Sequence, residues 1–201
     1  MGSFSRAKVP LLILLLTFTF FLVSFSTLVY NLPFWESLQE KYDVNETIAK
    51  PLNIALQNYF LDSNYQTPLV YNGLTEKETA HMVDVKKRVT FCAIAALFGA
   101  LASVFFIIRQ KKGDIIKICI GSTAVTWVLP LLFFFVPFDP LFSLFHHIFF
   151  SEGTYLFSWG DLLITVYPQG FFQDFAIAIV KRAYIFGLIS LIIAFCVKKF
   201  K

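Results

Sequence analysis

Four stretches of the chain stay apolar for the length of a bilayer crossing: Val9 to Tyr30, Val89 to Ile108, Ile115 to Val136 and Ala176 to Val197. A helix needs about 20 mainly apolar residues to cross the hydrocarbon, so each is expected to span. The charges inside these stretches sit near an end, as Lys181 and Arg182 do in the fourth. The polar remainder is mostly Ser and Thr, which bond back to their own helix. Mid-membrane ionisable groups and interrupted helices, which mark transporters, are missing from the pattern. Arg6 and Lys8 precede the first stretch. Its length exceeds a signal-peptide core and no small-residue cleavage site follows, so it is read as an uncleaved span. The expected architecture is an all-α integral membrane protein with four transmembrane helices and a small helical extracellular cap. It is read as a single membrane domain over 1–201, with outer cap segments 31–88 and 137–175.

Lys and Arg near the span ends set the orientation. With both termini inside, the inner side gathers Arg6, Lys8, Arg109, Lys111, Lys112, Lys117, Lys198, Lys199 and Lys201 against Asp114 alone. The outer side then carries eight basic and twelve acidic residues, which places the N- and C-termini in the cytoplasm. Composition narrows the class. Hydrophobic residues make up 57% and charged residues 15% of 201 positions, against about 45–50% and about 25% in soluble domains. This excludes a disordered chain, a nucleic-acid-binding domain and a disulfide scaffold, and argues against a soluble enzyme. Cys92, Cys119 and Cys196 all lie in apolar runs and read as buried free thiols.

The inner link, Arg109 to Asp114, is too short for a site, so chemistry is expected in the outer segments. There Leu38 to Lys50 is of mixed polarity, and Pro51 opens a second periodic stretch. Asn72-Gly73 marks a turn, and Thr75-Glu76-Lys77-Glu78 reads as a capping box, with Thr75 capping and Glu78 reaching back. No breaker follows, so one helix should run on into the second span. His81 then sits about 12 Å before the hydrocarbon, with Asp84 on the same face. Of the 39 residues from 137 to 175, twelve are Phe, Tyr or Trp. A segment so aromatic should lie in the membrane interface or line an apolar pocket. Asp139-Pro140 reads as N-cap and first helical residue. The following helix puts Phe142, Phe145, His146 and Phe149 on one stripe, with His147 rotated about 100° away.

All three histidines, His81, His146 and His147, fall in these two segments. Interfacial histidines with structural hydrogen bonds are one reading. The other is a pair of imidazoles, His81 with His146 or His147, meeting at the cap–membrane boundary. No Gly-x-Ser-x-Gly or His-Glu-x-x-His pattern occurs. No cysteine reaches the outer side, and two or three histidines with Asp84 lack metal-site spacing. No metal or cofactor is implied. What remains is general acid–base catalysis on a substrate that brings its own nucleophile.

Three segments carry a family resemblance. Leu74-Thr75-Glu76-Lys77-Glu78-Thr79-Ala80-His81-Met82-Val83-Asp84-Val85-Lys86 resembles the pre-span motif of the bacterial lipoprotein intramolecular transacylases (Lit). Phe145-His146-His147-Ile148-Phe149-Phe150 is similar to their Phe-His-x-Ile/Leu-Phe-Phe motif, and Tyr167-Pro168-Gln169-Gly170-Phe171-Phe172-Gln173-Asp174 to the lead into their last span. Order, spacing and four-span layout extend the resemblance over essentially the whole chain. It implies a multi-pass enzyme of the bacterial plasma membrane with its active site at the outer face. The substrate would be a diacylglyceryl-modified lipoprotein, met together with membrane lipid and without nucleic acid. The acyl chain would move from the sn-2 glyceryl oxygen to the N-terminal cysteine amine, giving a lyso-form lipoprotein. The implied catalytic pair is His81 with His146, the motif selecting His146 over His147. Asp84, Lys86, Phe145, Phe149, Phe150 and Phe171 are expected to support it. His81 is taken as base, because Asp84 could raise its basicity, and His146 as oxyanion partner; the reverse stays open. For Asp84 and Lys86, helix solubility near the headgroups is the competing role. A non-enzymatic membrane scaffold or a lipid-binding accessory protein is the alternative function.

Overall fold

The structure, a computed structural model, describes residues 3–64, 68–151 and 153–199, with the side chains of all these except residues 3–7 and 134. The Arg6 side chain and Lys201, counted above among the inner charges, lie outside that description. Nine helices occur among the described residues: α1 Ser3–Val29, α2 Leu32–Lys41, α3 Glu46–Leu61, α4 Glu76–Ile107, α5 Lys112–Val128, α6 Leu131–Phe134, α7 Phe138–Phe149, α8 Leu162–Val166 and α9 Gln169–Lys199. Four segments are long and apolar enough to cross a membrane: Lys8–Val29, Glu76–Ile107, Lys112–Phe133 and Gln169–Lys199. The expected all-helical, four-span architecture is therefore present.

Helix α4 forms as the capping box predicts. Thr75 N donates to Glu78 Oε2 at 2.8 Å, and Glu78 N donates to Thr75 Oγ1 at 3.2 Å. With 32 residues it is about 48 Å long, well beyond the ~30 Å hydrocarbon thickness. That length leaves room for its charged opening, Glu76 to Arg88, ahead of the apolar stretch that begins at Val89. Other local expectations need correction. Pro51 lies inside α3 instead of opening it. The helix starts earlier because Asn45 Oδ1 accepts from Thr47 N at 3.0 Å, an N-cap bond. The third span is not one helix to Val136: α5 stops at Val128, and Pro130, which has no amide to donate, separates it from α6. Helix α7 begins at Phe138, ahead of the expected Asp139 cap, and Asp139 accepts from Gln169 Nε2 at 2.6 Å instead.

The chain divides into two compact units, one of Met1–Ser26, Ala93–Phe135 and Ala178–Lys201, the other of Thr27–Cys92 and Val136–Ile177. The first unit holds its helices together with hydroxyls and close backbones, the means open to helices in lipid. Thr17 Oγ1 donates to Ser122 O at 3.3 Å, Thr123 Oγ1 to Gly187 O at 2.8 Å and Ser190 Oγ to Cys119 O at 3.3 Å. At Gly121 an added Cβ would stand 2.5 Å from Ile13 Cδ1, so α1 and α5 approach where a side chain is missing. Cys119 is buried as expected. Cys196 is exposed, contrary to expectation, because it faces outward from α9.

The second unit is built on Trp35. Its indole meets Phe60, Tyr167 and Phe171 edge-on, with centroids 5.9–6.4 Å apart. Trp35 Nε1 donates to Leu28 O and Gln57 Nε2 to Val29 O, satisfying carbonyls at the end of α1. Beneath lies a buried amide pair: Gln39 Nε2 donates to Asn53 Oδ1 at 3.1 Å and Asn53 Nδ2 to Gln39 Oε1 at 2.7 Å. Tyr167 OH adds a third bond to Asn53 Oδ1 at 2.6 Å. The start of α9 is seated on Tyr42, whose hydroxyl donates to Asp174 Oδ2 at 2.9 Å, beside Lys41 at 2.5 Å. A Cβ at Gly170 would lie 2.4 Å from Tyr42 Cε1. Gly170→Ala should therefore dislodge the ring and cost about 1–3 kcal/mol. Thermal unfolding in detergent checks this; a melting point equal to wild type would contradict it.

Candidate active site

Glu78, His81, Asp84 and Arg88 are spaced three, three and four residues apart, which sets them on one face of α4. Two of them tie that face to the end of α7. Arg88 Nε donates to Phe149 O at 2.9 Å, and Ser151 Oγ donates to Asp84 Oδ2 at 2.9 Å. Helix α7 closes with Phe150 N bonded to His146 O. His146 is thus in the last turn of a helix whose C-terminal end is fixed to α4.

The result is a ring-over-ring meeting of His81 and His146, with centroids 6.0 Å apart and planes inclined by 20°. Phe150 touches both, at 4.6 Å from His81 and 5.2 Å from His146. Phe157 stands edge-on to His81 at 5.3 Å. Phe142, Phe145 and Tyr155 surround His146 at 4.3, 5.5 and 5.4 Å. His147 is exposed.

The two rings differ in their hydrogen bonds. His146 Nδ1 lies 2.7 Å from Phe142 O. A carbonyl only accepts, so Nδ1 carries the proton and Nε2 keeps the lone pair in the neutral ring. His81 Nδ1 is buried and has no hydrogen-bond partner among the described residues. Burial first, and then repulsion from His146, push the His81 imidazolium from 6.5 down to about 4; the opposing pull of Asp84 is smaller. Burial also lowers His146, against the pull of the Phe142 carbonyl. Burial alone would raise Asp84, but its bond from Ser151 and the nearby Lys87 hold it below its usual value. Asp84 does pull His81 upward, as expected, but its carboxylate is engaged by Ser151 and burial in the apolar shell outweighs the pull.

The remaining expected residues divide. Phe145 and Phe150 are at the pair. The Phe149 ring meets Phe145 at 5.0 Å, and its carbonyl serves Arg88. Phe171 is instead packed in the Trp35 core, with Tyr167, Phe172 and Phe175. Lys86 is no solubilising charge. It is fully buried, lies 4.2 Å over the Tyr59 ring and donates to Asn64 O at 3.0 Å, which fixes the chain leaving α3. Phe157, Tyr155 and Ser151 went unread in the sequence. Only the aromatic density of 137–175 pointed toward them. Among the described residues no group of three or more His, Cys, Asp or Glu is gathered as a metal would need. No serine, threonine or cysteine of the described residues hydrogen-bonds an imidazole.

Comparison with known proteins places the chain in a family. An uncharacterized protein of Aquifex aeolicus (strain VF5) is 27% identical over 132 residues, spanning 64% of this chain and 59% of that protein. The in meso structure of the membrane integral lipoprotein intramolecular transacylase Lit from Bacillus cereus shares the fold, with TM-score 0.79 at 19% identity over 99% of this chain and 98% of that one. A histidine-to-arginine variant of the same protein gives 0.71 at 18% identity, over 98% and 94%. The family model described as lipoprotein intramolecular transacylase Lit matches residues 8–172. The match takes in both histidine segments and three of the four spans, and the chain belongs to the lipoprotein intramolecular transacylase (Lit) family.

Proposed function

We propose that the chain moves an acyl group within a diacylglyceryl lipoprotein, from the sn-2 glyceryl oxygen to the amine of the N-terminal cysteine, leaving the lyso-form. The observation that carries this reading is the pair of facing imidazoles, His81 buried and His146 half-buried, in an aromatic shell, with no nucleophile among the described residues bonded to either. Two rings 6.0 Å apart can both reach the nitrogen and oxygens on one reacting carbon through hydrogen bonds of about 3 Å. The charge asymmetry of the chain supports cytoplasmic termini and a pair at the outer face, where mature lipoproteins are displayed.

His146 is assigned as base. Its Nε2 lone pair is fixed by the Phe142 carbonyl, and that bond supports the positive ring that forms on proton uptake. The amine nitrogen attacks the ester carbonyl, Nε2 takes the proton that nitrogen sheds, and the same proton passes to the departing sn-2 oxygen. An amide and an alcohol replace an amine and an ester, with no net proton. His81 is assigned to the oxyanion. A ring kept neutral by burial donates one N–H to developing negative charge. The aromatic shell excludes water, which would hydrolyse the same ester. Holding both reactants of one molecule in attack geometry is worth up to about 7–11 kcal/mol.

Incubation of purified protein with a synthetic diacylglyceryl lipopeptide should give the N-acyl lyso-peptide, identified by fragment masses. Unchanged lipopeptide with a folded preparation would defeat the reading. The pH dependence is also fixed in sign. A base works while neutral, and both imidazoles lie below the ordinary 6.5. The acid limb of kcat should therefore fall below 6.5, the ordinary imidazole value, because burial lowers the His146 base. A profile from pH 4 to 8 at saturating substrate checks this, and an inflection at 6.5 or above would contradict the burial of the base.

A further inference from the structure

We propose that Glu78 is a positioning residue for this reaction, fastening the far end of a strap, residues 149–151 and 153–163, that lies along α4 and covers the histidine pair. The proposal rests on the function given above. The contacts run in antiparallel order. Arg88 holds Phe149 O and Asp84 holds Ser151. His81 meets Phe150 and then Phe157. Lys77 bonds Leu156 O, and Glu78 Oε1 accepts from Leu163 N at 2.6 Å. One end of the strap is thus pinned at two points, and Glu78 pins the other. Between them Tyr155 and Phe157 turn toward His146 and His81, while Leu156, which separates the two, is exposed.

Helix capping does not explain this carboxylate. A capping box needs one acceptor, and Oε2 supplies it to Thr75 N and Thr75 Oγ1. Glu78 is nonetheless fully buried, and its second oxygen reaches a backbone amide 85 positions away. A buried carboxylate that accepts on both oxygens is a strong, directional fastening.

Glu78→Gln separates the two roles. Glutamine serves a capping box, but once its oxygen faces Thr75 its NH2 faces the Leu163 N–H, donor against donor. Leu163→Pro removes the donor and leaves Glu78 intact, while Leu163→Met keeps both the amide and a side chain of similar volume in this buried position as control. Hydrogen–deuterium exchange of the full chain in detergent should show residues 154–163 exchanging about 10–100-fold faster in Glu78→Gln and Leu163→Pro than in wild type. Leu163→Met should stay near wild type. With diacylglyceryl lipopeptide, the two unpinned variants should release more free fatty acid relative to N-acyl product, because water then competes with the amine. Unchanged exchange in both overturns the pin. Faster exchange with an unchanged product ratio overturns the positioning role. If wild type makes no N-acyl product, the functional reading fails, and the exchange result still decides the pin.

Discussion

His146→Ala should lower the transacylation rate by about 100- to 10,000-fold, the range that a positioned base contributes. His81→Ala should cost about 100- to 1,000-fold, as loss of an oxyanion donor does. The two rings face each other at 6.0 Å and in the proposed mechanism serve the same carbonyl, so the double variant should fall little further than His146→Ala alone. His147→Ala should stay within a few-fold of wild type, because that ring is exposed and outside the aromatic shell. The rate of N-acyl lyso-peptide formation, read by mass spectrometry, tests all four proteins. A loss at His147 equal to that at His146 would move the site by one residue around α7. Full activity in either single variant of the pair would end the two-imidazole mechanism.

The second large effect concerns stability. Asn53 is fully buried, and its side chain exchanges two bonds with Gln39 and accepts a third from Tyr167. Asn53→Leu leaves the Gln39 side-chain oxygen and the Tyr167 hydroxyl without these bonds in a buried site, while Gln39 Nε2 keeps its bond to Val166 O at 3.3 Å. Each buried group left unsatisfied costs about 1–3 kcal/mol, so the variant should lose about 2–6 kcal/mol. Removing the polar partners as well, as Gln39→Leu and Tyr167→Phe, should restore much of the loss, since only the Val166 carbonyl then lacks its side-chain donor. Equilibrium unfolding in mixed micelles measures both. A single-variant cost below about 1 kcal/mol, or no recovery in the triple variant, would show that the network is not stabilising.

What the sequence revealed was the local part of this design. Spans follow from hydropathy, and the capping box at Thr75 and Glu78 from a four-residue spacing. The histidine pair was legible through two short motifs and a run of aromatics. The other parts depend on chain segments far apart. Tyr167 reaches Asn53 across 114 positions, and nothing near either residue signals it. Lys86 reads as a solvated charge because its neighbours are polar; only the packing of α3 against it makes it buried. Asp139 was misread for the same reason, its oxygen being taken by Gln169, 30 positions on. Phe171 fits an aromatic pocket by composition, but the edges of Trp35 claim it.

The bond between His146 Nδ1 and the Phe142 carbonyl has a consequence for stereochemistry. With one ring nitrogen committed to the backbone, a base at His146 must pass every proton through the other. Incoming amine and outgoing alkoxide are geminal at the tetrahedral stage, separated by little more than one bond angle. A stationary ring can therefore collect from one and deliver to the other without rotating, and the substrate supplies the relay's whole travel.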